Sequence, residues 1–149
     1  MAALDVNDVI EETLAIVQRE LHDHGVVLQQ DLAAEAAIVT GDRIQLQQVI
    51  INLIKNSIEA MANAATRELV IRSSRSENDR IVVEVRDSGA GVDPVEINKL
   101  FEPFFTTKSK GLGMGLAISR SIIEGHDGSL TMSSGLGAGS AVRITLPSR

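Results

Sequence analysis

One predicted helix, which Asp42 caps and which runs from Arg43 to Met61, constrains the fold of this chain more than any other segment. At about 100° per residue, apolar side chains cover most of its circumference. The remaining arc is a polar ridge, formed by Gln45, Gln48, Asn52, Asn56 and Glu59. Because a buried carboxamide without a partner costs about 1 to 3 kcal/mol, we expect the ridge to face water, a ligand or a paired network. An ordinary solvated face is the plainer alternative, although such faces usually carry Lys and Glu.

Helical and strand patterns alternate along the rest of the 149 residues. Two more helices are predicted from about Leu4 to His22 and from Leu116 to Gly125, and a short one starts at Asp93. Strands are predicted at 26–32 and 37–40, as two short strands or one interrupted strand, and as hairpins at 68–74 with 80–87 and at 129–134 with 140–147. This order predicts a single α+β domain over 1–149, a two-layer sandwich in which helices cover one face of a mixed sheet.

Composition and charge exclude several classes of function. The net charge of −6 argues against a nucleic-acid binder, which needs clustered Lys and Arg. The chain has no Cys, so it forms neither a disulfide nor a thiolate metal site. No apolar run approaches the roughly 18 residues that span a bilayer, and the N-terminal stretch is acidic, so we expect a cytoplasmic domain without membrane contact.

Three further segments could carry chemistry. Residues 87–91 follow a strong strand, where a carboxylate can accept from an amino group and Gly lets the backbone approach a ligand. Residues 111–115 precede a helix, whose free N–H groups favour an anion such as phosphate. Between them, 101–110 holds all three Phe residues with Lys108 and Lys110, either of which could meet phosphates. The plainer interpretations are a turn, a flexible surface loop and a loop that Phe anchors to the core.

Familiar nucleotide-binding loops do not fit the glycines at 111–115. A Walker loop requires Lys and Ser or Thr where Leu116 and Ala117 stand. A dinucleotide fingerprint requires a preceding strand and a third Gly where Leu116 stands. The three His residues have structural interpretations, His22 and His24 as a solvated helix end and His126 as part of a helix-ending turn.

Taken in order, these segments resemble the catalytic ATP-binding domain of bacterial sensor histidine kinases, within the wider GHKL group of gyrase and mismatch-repair ATPases. Residues 45–61 are similar to the N box and 87–92 to the first Gly box. Residues 101–108 are similar to the F box, 111–119 to the second Gly box and 135–147 to the closing Gly-rich hairpin. The form of the N box resembles that of nitrogen-regulatory and oxygen-sensing kinases. The resemblance implies the Bergerat fold, with the nucleotide between helices and sheet under a Gly-rich lid.

The resemblance implies ATP and Mg²⁺ as cofactors and assigns roles to particular residues. Asn56 would bind Mg²⁺, and Asn52 one turn earlier would help to order that site, so that these two are the implied catalytic residues. Asp87 would accept from the adenine amino group, with Ser140 nearby, while Gly89 and Gly91 would let the backbone pass close to the base. The implied lid comprises Lys108 as its cation and, at its hinge and phosphate-facing end, Gly111, Gly113, Gly115 and Leu116.

Two positions depart from the relatives in this group. Many kinases have a basic residue three positions after the metal-binding Asn, often followed by Tyr, whereas this chain has Glu59 and Ala60. Hydrolytic relatives such as gyrase have a general-base Glu one turn before that Asn, where this chain has Asn52. Because a carboxamide cannot take a proton from water, the site is predicted to favour phosphoryl transfer over hydrolysis.

The resemblance also implies partners. The phosphoryl group would pass to a His on a dimerisation and phosphoacceptor domain and then to the receiver domain of a response regulator. The sequence around His22 and His24 lacks the Pro of the acceptor pattern, so we expect the acceptor and sensor domains to be absent from this chain. An anti-sigma-factor-type serine kinase of the same fold and a non-catalytic ATP-binding or interaction module are the alternatives.

Overall fold

Three helices and seven strands make up the part of the chain that the computed structural model describes, which is residues 1–33, 35–89, 115–134 and 139–149. The helices are α1 (Val6–Asp23), α2 (Arg43–Ala60) and α3 (Gly115–Gly125). The strands are β1 (Ala2–Asp5), β2 (Val27–Asp31), β3 (Ile38–Gly41), β4 (Glu68–Arg75), β5 (Arg80–Asp87), β6 (Ser129–Ser134) and β7 (Ser140–Pro147). The predicted helix at Asp93 and the segment 101–110 lie outside the described residues.

The main sheet has five strands in the order β2-β4-β5-β7-β6. The β2–β4 pair is parallel and the other three pairs are antiparallel, so the sheet is mixed, as predicted. Both predicted hairpins are confirmed, with Ile71 opposite Val85 in the first and Met132 opposite Val142 in the second. The segments at 26–32 and 37–40 form two separate strands, because β3 leaves the main sheet and pairs with β1.

The helices cover one face of the main sheet, as predicted. Successive residues of a strand point to opposite faces, and in β5 the side chains of Ile81, Val83 and Val85 are buried while Arg86 is exposed. The core is aliphatic, and α2 contributes to it Leu46, Val49, Ile50, Leu53, Ile54 and Ile58. Fully burying one such side chain contributes about 1.5 to 3 kcal/mol, so this helix is a principal source of stability.

Carboxylates cap the first two helices. The predicted cap of α2 is confirmed, since Asp42 accepts a hydrogen bond from the backbone N–H of Gln45 at 2.9 Å. The predicted start of α1 at Leu4 was wrong. Leu4 pairs with Val39 in the small sheet, and Asp5 caps the helix by accepting from the N–H of Asn7 at 2.9 Å.

Candidate functional site

The Asp87 carboxylate lies at the end of β5 and is only 6% exposed. It accepts two hydrogen bonds, from the backbone N–H of Gly89 to Oδ1 at 2.8 Å and from the Ser140 hydroxyl to Oδ2 at 2.9 Å. The β5–β7 register creates this pair, because it places Asp87, the last residue of one strand, opposite Ser140, the first residue of the other. Three residues that the sequence predicted to surround adenine are therefore neighbours.

Two glycines allow this close packing around the carboxylate. Gly139 has a φ of +75°, and a β-carbon there would lie 2.1 Å from the backbone oxygen of Asp87. A β-carbon at Gly89 would lie 2.7 Å from the backbone oxygen of Ala60, the last residue of α2. Gly89 thus brings the end of β5 against the end of α2, and any side chain at either position would push the strands or the helix away.

Ser88 is a contributor that sequence reasoning missed. Its hydroxyl donates to the backbone oxygen of Thr66 at 2.9 Å and accepts from the backbone N–H of Glu68 at 2.9 Å. Its own N–H donates to the oxygen of Glu68 at 3.2 Å. These bonds fasten the segment after β5 to the start of β4. The only sequence signal was a Ser directly after a strand, a residue that often bonds to nearby backbone.

The polar ridge of α2 lies outside the core, as expected. Gln45, Gln48 and Glu59 are exposed, whereas Asn52 and Asn56 are half-buried. Asn52 contacts the N-terminal part of α3, donating from Nδ2 to the Ser119 hydroxyl at 3.1 Å. The two predicted catalytic carboxamides are thus neither solvated like the rest of the ridge nor sealed in the core.

The other predicted site residues fall into two groups. Gly115 is the first residue of α3 and packs on Asn52, since a β-carbon there would lie 3.0 Å from Oδ1 of that residue. Leu116 is partly buried and packs against the hydrophobic core. Four predicted residues lie outside the described part of the chain, namely Gly91, Lys108, Gly111 and Gly113.

The donors on α2 fit Mg²⁺. This ion prefers oxygen ligands and is usually held by one or two protein groups together with substrate phosphates and water. Asn52, Asn56 and Glu59 present carboxamide and carboxylate oxygens along one ridge. Within the described ranges no three His, Cys, Asp or Glu side chains lie close enough together to hold a metal ion by themselves.

Each His lies at the C-terminal end of a helix. The His24 Nδ1 lies 2.9 Å from the backbone oxygen of Glu20, at the end of α1, and His22 precedes it in the last turn. His126 follows α3 in a turn, as predicted, but it is also 4% exposed and bonded at both ring nitrogens. Its Nε2 accepts from the backbone N–H of Asp42 at 3.0 Å, and Nδ1 lies 2.8 Å from the oxygen of Ile122.

A mixed sheet under helices, with a buried carboxylate at a strand end and a carboxamide ridge beside it, defines a Bergerat-type nucleotide-binding domain. The sequence profile described as histidine kinase-, DNA gyrase B-, and HSP90-like ATPase matches residues 41–149, and the chain belongs to that family. The relatives described below are sensor histidine kinases, and the chain is an enzyme domain of the histidine kinase catalytic class.

Two sequence relatives illustrate this class. The chain is 43% identical over 142 residues to the sensor protein FixL of Bradyrhizobium diazoefficiens, covering 95% of the chain and 28% of FixL. It is 40% identical over 149 residues to the C4-dicarboxylate transport sensor protein DctS of Rhodobacter capsulatus, covering 99% of the chain and 22% of DctS. The chain therefore spans about a quarter of the length of these relatives.

Solved structures of histidine kinases are also similar to this chain. The catalytic domain of histidine kinase ThkA in a nucleotide-free form superposes with a TM-score of 0.87 at 29% identity, covering 99% of the chain and 95% of that domain. ThkA in complex with the response regulator protein TrrA has a TM-score of 0.84 at 27% identity, with 99% and 42% covered. No helix in the described ranges is long and apolar enough to cross a membrane.

Proposed function

We propose that this chain binds Mg-ATP and donates the γ-phosphoryl group to a His on a separate dimerisation and phosphoacceptor domain, for relay to an Asp of a response regulator. The observation that carries the proposal is the Asp87 carboxylate, buried at a strand end and oriented by Gly89 and Ser140. It stands beside a helix whose half-buried carboxamides suit a phosphate-bound cation. The membership of the family supports the ATP part of the proposal.

Asp87 is suited to recognise adenine. An ionised carboxylate has about four lone-pair sites and only accepts hydrogen bonds. The bonds from Gly89 and Ser140 occupy one site on each oxygen and fix the plane of the carboxylate. A remaining site can accept from the amino group of adenine, whereas guanine presents a carbonyl oxygen at the equivalent position and would be repelled. We therefore assign to Asp87 the preference for ATP over GTP.

Asn56, with Asn52 one turn before it, is proposed to hold the metal end of the nucleotide. Phosphoryl transfer depends mainly on positioning and on neutralising charge, and Mg²⁺ bound at the phosphates would supply that neutralisation. The residues of the chain itself orient the phosphates. Asn52 stands where hydrolytic relatives have a general-base Glu, and a carboxamide cannot take a proton from water. The site therefore favours an external nucleophile over hydrolysis.

We propose that residues 1–149 act as one catalytic domain, with the acceptor His supplied by a region outside it. His22 and His24 lie at the end of α1, and the backbone oxygen of Glu20 contacts the ring of His24, so neither is proposed as the acceptor. A response regulator is proposed as the final partner because the ThkA relative forms a complex with its response regulator TrrA.

The first test is a calorimetric titration of the chain with a non-hydrolysable ATP analogue, with and without Mg²⁺. We expect one saturable site whose affinity falls without the metal. A folded chain that shows no binding would refute the proposal. Transfer is then tested with ATP labelled at the γ-phosphate and a histidine kinase phosphoacceptor domain. An acid-labile product indicates phosphohistidine, an acid-stable product indicates the serine kinase alternative, and binding without transfer indicates the non-catalytic module.

Asn56→Ala should weaken Mg-ATP analogue binding by about 1.5 to 3 kcal/mol, the cost of a hydrogen bond or ligand to a charged partner. The matched control is Gln48→Ala, because Gln48 lies on the same ridge of α2 but is exposed to solvent. We expect the control to bind as the wild type does. Unchanged affinity in a folded Asn56→Ala variant would contradict the metal role.

Asp87→Asn should abolish the preference for ATP over GTP. The amide has only one acceptor oxygen where the carboxylate has two, and its NH₂ group can donate to the carbonyl oxygen of guanine. Competition between ATP and GTP for a labelled ATP analogue measures this preference directly. Asp31→Asn serves as the control, since Asp31 ends an edge strand and is exposed. A folded Asp87→Asn variant that still prefers ATP would count against the adenine role.

A further inference from the structure

The N-terminal part of α3 contacts the carboxamide of Asn52 through two residues. Gly115 and Ser119 lie four residues apart and therefore share one face of that helix. Ser119 accepts a hydrogen bond from Asn52 Nδ2 at 3.1 Å. At Gly115 an added β-carbon would lie 3.0 Å from Asn52 Oδ1 and 3.1 Å from Nδ2, so the carboxamide packs closely against the helix where the side chain is missing.

The Ser119 hydroxyl is not a surface group. Ser119 is only 2% exposed, although it lies on a short helix that also carries the exposed residues Ile118 and Ser121. A hydroxyl buried without a partner is unfavourable, and here the carboxamide of α2 supplies the partner. The interaction joins two elements that are 67 residues apart in the sequence.

This bond determines which end of the carboxamide is available to other groups. Asparagine presents a donor at Nδ2 and an acceptor at Oδ1, and the two cannot be exchanged without rotating the side chain. Because Nδ2 is directed at Ser119, the plane of the amide is fixed and its oxygen is kept as the acceptor. An oxygen is the atom that a hydrated Mg²⁺ or its bound water requires, whereas an amino group would repel it.

We infer that Ser119 is a positioning residue, which orients Asn52 toward the metal end of the nucleotide and couples α3 to the α2 ridge. The inference rests on the proposed function. It assigns to Ser119 an effect on Mg²⁺-dependent nucleotide affinity that is exerted through Asn52. Gly115 has a complementary part, since the absence of a side chain there lets the helix approach the carboxamide closely.

A double-mutant cycle tests this inference in the intact chain. The affinity of the non-hydrolysable ATP analogue is measured by calorimetry, with and without Mg²⁺, for the wild type, Ser119→Ala, Asn52→Ala and the double variant. Ser119→Ala should weaken binding in Mg²⁺ by about 2- to 12-fold, the range for one net hydrogen bond. The same change should have no effect without Mg²⁺ or in the Asn52→Ala background. Ser121→Ala, an exposed change on the same helix, should bind as the wild type does.

Gly115→Ala provides a second route that leaves the hydroxyl intact. The new β-carbon should displace the Asn52 carboxamide and weaken Mg²⁺-dependent binding, whereas Asn52→Ala removes the obstructing atoms and should suppress that loss. Penalties that persist unchanged in the Asn52→Ala background would overturn the inference while leaving the proposed function intact. A folded wild type that binds no Mg-ATP analogue would instead refute both. Circular dichroism of each variant confirms that it is folded.

Discussion

Replacing His126 tests whether one side chain holds α2 and α3 together. The ring is 4% exposed, accepts from the backbone N–H of Asp42 at Nε2 and contacts the backbone oxygen of Ile122 at Nδ1. These two contacts require a neutral ring with its proton on Nδ1, which donates to Ile122. His126→Ala leaves both backbone groups without their partner, and each loss costs about 1 to 3 kcal/mol. We expect the free energy of unfolding to fall by about 2 to 5 kcal/mol, since water entering the vacated space recovers part of the loss.

The assay is urea-induced unfolding followed by circular dichroism, because the chain has no Trp or Tyr to report by fluorescence. Asn retains a polar atom near Nδ1 and Gln retains one near Nε2, so His126→Asn and His126→Gln should lie between the wild type and His126→Ala. His24→Ala is the control, because His24 is exposed and should lose well under about 1 kcal/mol. An equal, small loss for both Ala variants would refute the reasoning.

Two further predictions concern the main sheet. Burial alone would raise the pKa of Glu84, but hydrogen bonds and charge from Arg143 and Arg86 outweigh it and hold the pKa below its usual range. The ionised form therefore stabilises the fold above the unfolded pKa of about 4.5, and this contribution is lost as the pH falls through the lower folded pKa. Glu84→Gln should reduce stability by up to about 1 kcal/mol at neutral pH, with the difference from the wild type shrinking below pH 4.5 in urea titrations. Gly139→Ala should both destabilise the fold and weaken ATP analogue binding, because its β-carbon meets the backbone of Asp87.

The Gly139→Ala and Glu84→Gln predictions each have a control substitution elsewhere in the chain. Gly25 also has a positive φ, of +66°, but a β-carbon there meets nothing within 4 Å. Gly25→Ala should therefore show only the left-handed backbone cost of about 1 to 2 kcal/mol, and an equal loss at Gly139 would contradict the steric argument. For the carboxylate, Glu77→Gln in the turn before β5 is an exposed comparison, and a Glu84→Gln effect that is independent of pH would contradict the electrostatic one.

The sequence was most informative where a pattern is long and local. The start of α2 and its cap at Asp42 were predicted to the residue, because an N-cap and a continuous apolar period define them within the chain itself. Strand β1 was missed because it has four residues, of which only Leu4 is buried. A strand of that length has too few alternations to separate it from the start of a helix.

The sequence patterns did not predict contacts between elements that are distant in the chain. The resemblance placed Asp87 and Ser140 near the same base, but the hydrogen bond between them depends on the register of two strands. The hydrogen bond between Asn52 and Ser119 depends on how α3 packs against α2. Nothing in the sequence around either residue indicates this contact. His126 was interpreted as a turn residue, and its bond to Asp42 follows from tertiary packing alone.

The pairing of Asp87 with Ser140 also bears on how this domain can change length. The two residues are 53 positions apart, yet their alignment is set by the β5–β7 ladder and not by the chain between them. Doubling the length of a flexible connection costs only about 0.6 kcal/mol in closure entropy. Insertions or deletions between the strands can therefore diversify the domain while the carboxylate and its hydroxyl partner stay aligned. A one-residue slip of β7 would have the opposite effect, because it would turn Ser140 to the outer face and separate the pair with no change in composition.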